Sequence, residues 1–315
     1  MIPAKLKIGD EIRVIAPSRS LSIVQKDVFD KALSYLTEKD FKVTFSKNAW
    51  ELDSMHDICA SSSIESRISD LHEAFADNNV KAILTCIGGF NVNQILEYID
   101  YSLIQKNPKI LCGYSDITAL SNAVYAQTGL VTYSGTHFST FGWDKDIDYT
   151  YQYFEKCLMQ NEPFTITPSS ESKKYCPIVQ GSAEGYVIGG NLCTLNLLQG
   201  TDFMPDLKDK ILFLEDDNIC GEYFSREFDR NLQSLIQTTG FPGVKGIVFG
   251  SFDDSCGLDL TTIKRIVKNK KQLQDIPSVF NVDFGHVFPI ITFPIGGTVR
   301  LDVGEENAQI KIIQH

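Results

Sequence analysis

Basic residues are scarce in this chain: 29 Lys and Arg stand against 40 Asp and Glu, for a formal net charge of −11. Phosphate backbones are gripped by clustered Lys and Arg, so this balance argues against nucleic acid as the main partner. Long apolar runs are missing as well. No stretch approaches the roughly 20 residues that span a bilayer, which argues against a membrane partner. Residues 1–10 alternate apolar and charged side chains without the apolar core of a signal peptide, so the expected compartment is the cytoplasm. None of the eight cysteines lies in a C-x-x-C pair, which removes zinc-ribbon and thioredoxin-like readings. Cys86 and Cys112 sit inside apolar runs and are expected to be buried, reduced thiols. There is no H-E-x-x-H. Asp216-Asp217, Asp253-Asp254 and His286 could supply oxygen and nitrogen ligands but share no ligand spacing, so neither a metal nor a cofactor is expected. Internal repeats and low-complexity tracts are also absent.

What is present is the material for a large core. Of 315 residues, 43% are hydrophobic and 22% charged, enough for two domains. The first part alternates strand and helix signals. Strands are expected at 11–16, 42–45, 81–87, 109–112 and 130–133, and helices at 24–39, 64–76, 93–99 and 117–128. Near-continuous apolar strands separated by amphipathic helices predict a parallel sheet covered on both faces, a doubly wound α/β domain over 1–140. In such sheets ligands collect beyond the carboxyl ends of the strands. Three of those ends carry unusual residues: Pro17-Ser18, Gly88-Gly89 and Gly113-Tyr114-Ser115-Asp116. Residues 141–181 are polar and aromatic and are expected to form a linker, partly helical over 149–159. A smaller, mixed and β-rich domain is expected over 182–315, with strands at 211–214, 246–249, 278–282, 290–293, 299–303 and 310–313 and helices at 224–238 and 261–271.

Four positions invite chemistry. Ser115 follows a buried strand and precedes a helix, where a sharp turn can expose a nucleophile and the helix N-terminus favours a developing oxyanion. The same position also suits a plain N-cap. Gly88-Gly89 lets a substrate approach the backbone, with one N–H as an oxyanion donor beside that of Asp116, or it is simply a turn. Glu215 shares a strand face with Ile211 and Phe213 and could orient a histidine; equally, three consecutive acids could mark a solvated loop. Among the five histidines, His56, His72, His137, His286 and His315, the loop positions of His286 and His137 suit a general base. His72 is expected in a helix and His315 at a frayed terminus.

Together the segments CIGGFN (86–91), GYSDITAL (113–120), GYVIGGNLCTL (185–195), ILFLEDD (211–217) and FGHVFPIITFPIG (284–296) resemble the LD-carboxypeptidase family of serine peptidases, which includes the microcin C immunity hydrolases. The resemblance runs from about Ile8 to about Asp302. It implies a Rossmann-like N-terminal domain and a β-rich C-terminal domain, with the site between them, and a homodimer. It implies Ser115 as nucleophile, Glu215 as orienting acid and His286 as general base. A histidine must be neutral to act as a base, so activity is expected to rise with pH through an apparent pKa of roughly 6 to 7. The N–H groups of Gly89 and Asp116 are implied as the oxyanion hole, and Gly88 and Asn191 as substrate contacts. The implied reaction is cleavage of an amide near the C-terminus of a small peptide or peptidyl-nucleotide; a non-catalytic two-domain clamp is the alternative. CIGGFN and FGHVFP are more similar to the immunity branch. The short segment 169–181 has no Trp for a nucleotide base to stack on. It predicts a preference for a short peptide bearing a carboxylate or similar anion, with no strong demand for a purine; Lys173 and Lys174 could attract that anion or form a solvated charge pair, and Tyr175 is the one aromatic able to replace the Trp.

Overall fold

The computed structural model describes residues 1–53, 58–143, 146–170 and 173–315. Strands β1 (Glu11–Ile15), β2 (Lys42–Phe45), β3 (Val80–Thr85), β4 (Ile110–Gly113) and β5 (Thr132–Ser134) form a parallel sheet in the order β2-β1-β3-β4-β5. Alternation along the strands sends side chains to two faces. Helices α2 (Ile64–Ala76), α3 (Tyr101–Lys106) and α4 (Ile117–Thr128) pack on one face against Ile15, Val80, Ile83 and Leu111. Helices α1 (Lys26–Glu38) and α5 (Ile147–Leu158) cover the other, against Ile12, Val14, Leu84 and Cys112. This is the expected doubly wound layer. Its order reverses between β1 and β3, so the carboxyl ends of β1, β3 and β4 open on one crevice.

The second sheet has eight strands, in the order β6-β14-β13-β8-β9-β10-β11-β7. In chain order these are β6 (Phe164–Ile166), β7 (Cys176–Val179), β8 (Gly181–Asn191), β9 (Lys210–Glu215), β10 (Gly246–Gly250), β11 (Ser278–Val282), then, after β12 (Phe293–Ile295), β13 (Thr298–Val303) and β14 (Ala308–Gln314). The central four, β8 to β11, run parallel. One face carries α6 (Leu192–Asn196), α7 (Phe224–Ile236) and α8 (Leu260–Lys268), whose apolar stripes join Leu212, Leu214, Ile247 and Phe249 in the same cluster as α2 and α4. The opposite face is a separate cluster around Phe213, Phe284 and Phe293.

Two expectations need correction. Segment 141–181 is not a free-running linker: it carries α5 and the edge strands β6 and β7, which pair with β14 and β11. Edge strands need only one apolar face, so a polar sequence hides them. The apolar run expected as a strand over 290–293 starts later, as β12, and pairs antiparallel with β5 of the first sheet. Pro294 fits there because β12 is an outermost strand with one neighbour. The chain of the second half thus reaches back into the first.

Candidate active site

Ser115 sits in the turn between β4 and α4 with φ +61°. A non-glycine residue in that region costs about 1–3 kcal/mol and persists only where its surroundings impose it. The capping alternative does not hold: Asp116 is the N-cap residue of α4, without a side-chain cap bond, and the Ser115 hydroxyl turns instead to the second half of the chain. There His286 Nε2 lies 3.0 Å from Ser115 Oγ, and His286 Nδ1 lies 2.8 Å from Glu215 Oε2. A carboxylate only accepts, so Nδ1 carries the proton and a neutral His286 presents a bare Nε2 to the serine hydroxyl.

Strand and loop chemistry account for this meeting. Glu215 ends β9 on the face of Ile211 and Phe213, as the alternation predicts, and is 2% exposed. Gly285, with φ +116°, lets the His286 loop pass close above it; a Cβ there would fall 3.0 Å from Glu215 Oε2. The base of the loop is held by Asp283, fully buried at the end of β11. Its carboxylate accepts from Ser169 N and Oγ at 3.1 and 2.9 Å and from the Tyr175 hydroxyl at 2.8 Å, and pairs with Lys173 Nζ at 2.8 Å. Its own carbonyl accepts from Ile291 N at 2.7 Å, closing the loop. Trp143 packs edge-on against Phe288 in the same loop. Burial disfavours a charged His286, but Glu215, with Asp217 and Asp216 behind it, outweighs that and holds its pKa up at about 9. His286 therefore holds its proton more tightly than the expected range of roughly 6 to 7.

The other histidines separate cleanly. His137 is buried beside the same crevice, with Nδ1 2.7 Å from Thr85 Oγ1, and burial together with the charges of His286 and Arg19 pushes its pKa down to about 3. It packs against Tyr114 and is not bonded to Ser115. His72 is helical and accepts from Asp100 N. His315 is not frayed: it is 4% exposed and bonded to Lys5 and the Cys157 carbonyl. His56 lies outside the described residues.

A cavity of about 390 Å³ opens beside Ser115, lined among others by Gly89, Phe90, Asp116 and Asn191. Gly88 instead backs onto Ser115, where a Cβ would come 2.9 Å from the serine Cβ. Asn191 is 1% exposed and uses Oδ1 to cap α6 through Thr194 N at 2.9 Å. Gly89 N–H and Asp116 N–H donate to no protein acceptor among the described residues. Two features of 169–181 differ from expectation. Tyr175 is 7% exposed and tied to Asp283, so it offers no stacking face, and Lys173 is spent on Asp283 and Ser251. Asp216, Asp217 and Glu227 line the cavity instead, together with Phe90, whose ring is 56% exposed. Cys86 and Cys112 are buried free thiols. Among the described residues, no group of three or more His, Cys, Asp or Glu side chains is arranged to hold a metal ion, and no helix is long and apolar enough to cross a membrane.

Fold and site define a two-sheet α/β protein of serine-hydrolase type, with its hydroxyl, imidazole and carboxylate brought together from two layers. Models of the LD-carboxypeptidase N-terminal and C-terminal domains match residues 12–135 and 184–301, and the chain belongs to the LD-carboxypeptidase family of serine peptidases. It is 46% identical, over the whole of both chains, to the putative carboxypeptidase YocD of Bacillus subtilis. The crystal structure of an MccF-like protein from Bacillus anthracis is similar at 50% identity and TM-score 0.96, again over the whole of both chains. The microcin C7 self-immunity protein MccF, in complex with aspartyl sulfamoyl adenosine, matches 100% of this chain and 99% of its own at 27% identity and TM-score 0.85.

Proposed function

We propose that this chain is a serine amidohydrolase that cleaves an amide bond near the C-terminus of a small peptide, with Ser115 as nucleophile, His286 as general base and Glu215 as the acid that orients it. One observation carries the reading: the unbroken chain of hydrogen bonds from Glu215 through His286 to Ser115, at 2.8 and 3.0 Å. A binding clamp would have no use for a strained serine hydrogen-bonded to an imidazole that a buried carboxylate orients.

The steps follow from that geometry. Ser115 Oγ attacks the amide carbon while His286 Nε2 takes its proton. The carbonyl π pair moves onto oxygen, which the N–H groups of Gly89 and Asp116 receive. The tetrahedral adduct collapses, the C–N bond breaks, and His286 returns the proton to the leaving amine. Water then adds to the acyl ester, His286 takes a proton from it, and Ser115 leaves with that proton as the carboxylic acid forms. Throughout, Glu215 keeps the imidazole in one tautomer and stabilises the imidazolium.

The substrate is a small peptide or a peptidyl-nucleotide. The loss of Lys173 and Tyr175 as contacts weakens the case for a carboxylate-led preference, while the exposed Phe90 ring at the cavity supports stacking of a flat group. Base stacking on an aromatic contributes roughly 1–3 kcal/mol, about one to two decades in kcat/KM. Comparison of a murein tetrapeptide with an aspartyl-adenylate peptide, repeated in Phe90→Ala, tests this: an adenylate preference that falls tenfold or more in the variant supports stacking. For the reaction itself, Ser115→Ala should lose about 10⁴ to 10⁶ in rate with the fold intact by circular dichroism. A variant only a few-fold slower would end the reading.

A further inference from the structure

The proposed chemistry uses two of the three marked strand ends. The third, Pro17-Ser18-Arg19 beyond β1, has no part in it, yet it lies directly beneath the turn that carries Gly89. The fully buried Ser18 hydroxyl donates to Asp116 Oδ2 at 2.5 Å. That same oxygen accepts the main-chain N–H groups of Asn91 and Val92 at 3.0 and 2.9 Å. Asp116 therefore ties the turn that bears its own N–H to the turn that bears Gly89. Arg19 acts on the peptide itself: its Nε donates to the Gly88 carbonyl at 3.2 Å. The Gly88–Gly89 peptide is planar and trans, so C=O and N–H point in opposite directions. A carbonyl held by Arg19 on one side aims the Gly89 N–H to the other. No slack remains, since a Cβ on Gly89 would fall 2.2 Å from Ser18 Oγ and 2.8 Å from Arg19 Cγ.

We propose that Ser18 and Arg19 are positioning residues for the oxyanion hole: Ser18 braces the Asp116 carboxylate that joins the two donor turns, and Arg19 sets the plane of the peptide whose N–H is the second donor. The proposal rests on the serine-hydrolase reading above. Neither side chain touches the reacting atoms. Loss of either leaves both N–H groups in place but misaimed, so the cost falls on the transition state, where negative charge sits on the oxygen, and hardly on the neutral ground-state carbonyl. Removal of an oxyanion donor costs about 10² to 10³ in kcat, and misalignment should cost less, about 10- to 100-fold.

The test compares Ser18→Ala and Arg19→Met with wild type and with Ser115→Ala, on whichever peptide the wild type hydrolyses. The readouts are kcat, KM and the inhibition constant of a matching peptide boronic acid, whose adduct with Ser115 places an oxygen in the hole. The expected result is a ~10- to 100-fold loss of kcat in both variants with KM within about threefold, and a boronate Ki that rises by the factor lost from kcat/KM. If Ser18→Ala fails to fold, Arg19→Met, a partly exposed side chain, carries the test alone. Wild-type kcat and boronate affinity in the variants would overturn the proposal, as would a loss confined to KM, which would make Arg19 a substrate contact. An inactive Ser115→Ala beside wild-type-like variants rejects the brace alone; an active Ser115→Ala rejects the hydrolase reading and the brace with it.

Discussion

At the scale of single residues, His286 carries the consequence easiest to measure. Its pKa of about 9 means that at pH 7 about one free enzyme molecule in a hundred holds it neutral and able to take a proton. The value of kcat/KM should therefore climb about tenfold per pH unit between pH 6 and 8 and level off near 9. Glu215 is the largest raising influence, so Glu215→Gln should move the inflection below about 7 while lowering the plateau by ~10³ to 10⁴, because the amide offers the wrong group to Nδ1. Asp216→Asn, one residue along on the other strand face, should cost no more than about tenfold. A plateau already reached at pH 7, or a more damaging Asp216→Asn, would contradict this assignment. The same shift is linked to folding. A proton held more tightly in the fold stabilises it fully below about pH 6.5, the unfolded value, and that contribution is lost as pH rises through about 9.

At the scale of elements, the decisive unit is the loop between β11 and β12. Asp283 fixes its base and Gly285 lets it pass over Glu215. Asp283→Ala would leave Ser169, Tyr175 and the Lys173 ammonium without their buried acceptor, at a cost of about 3 kcal/mol read from chemical denaturation. Gly285→Ala should act differently. A Cβ at φ +116° strains the backbone by about 1–3 kcal/mol and crowds Glu215, so kcat should fall by more than stability does. Equal losses in both would show that the loop is merely structural. Such elements also show what a sequence displays. β2, α2, α4 and β11 are legible to the residue because each has a clear period and sharp ends: Ser63 caps α2 through Ser66 N, and Gly129 in the left-handed region stops α4. α3 is missed because six residues between Asp100 and Asn107 are too short for a period to emerge. β6 and β7 are missed because their apolar faces exist only once they pair at sheet edges.

At the scale of the whole molecule, the site exists only because two layers meet. The first sheet brings Ser115 and Gly89; the second brings Glu215, Asn191 and His286. One continuous apolar cluster and the return of β12 to β5 lock the layers together. The residues proposed to react stand out in the sequence because they lie in ordered motifs at strand ends. Ser18, Arg19 and Asp283 do not, since their significance lies in partners 98, 69 and 114 residues away along the chain. Lys173 and Tyr175 look available in the sequence for the same reason, since nothing local places Asp283 beside them. In the proposed reaction Ser115 is a nucleophile activated across these layers by His286. Intact-protein and peptide mass spectrometry after treatment with a fluorophosphonate tests it most directly. One phosphonyl group per chain is expected, on Ser115, with labelling abolished in Ser115→Ala and slowed by about 10³-fold or more in His286→Ala. Modification at another residue, or unchanged labelling in His286→Ala, would contradict it.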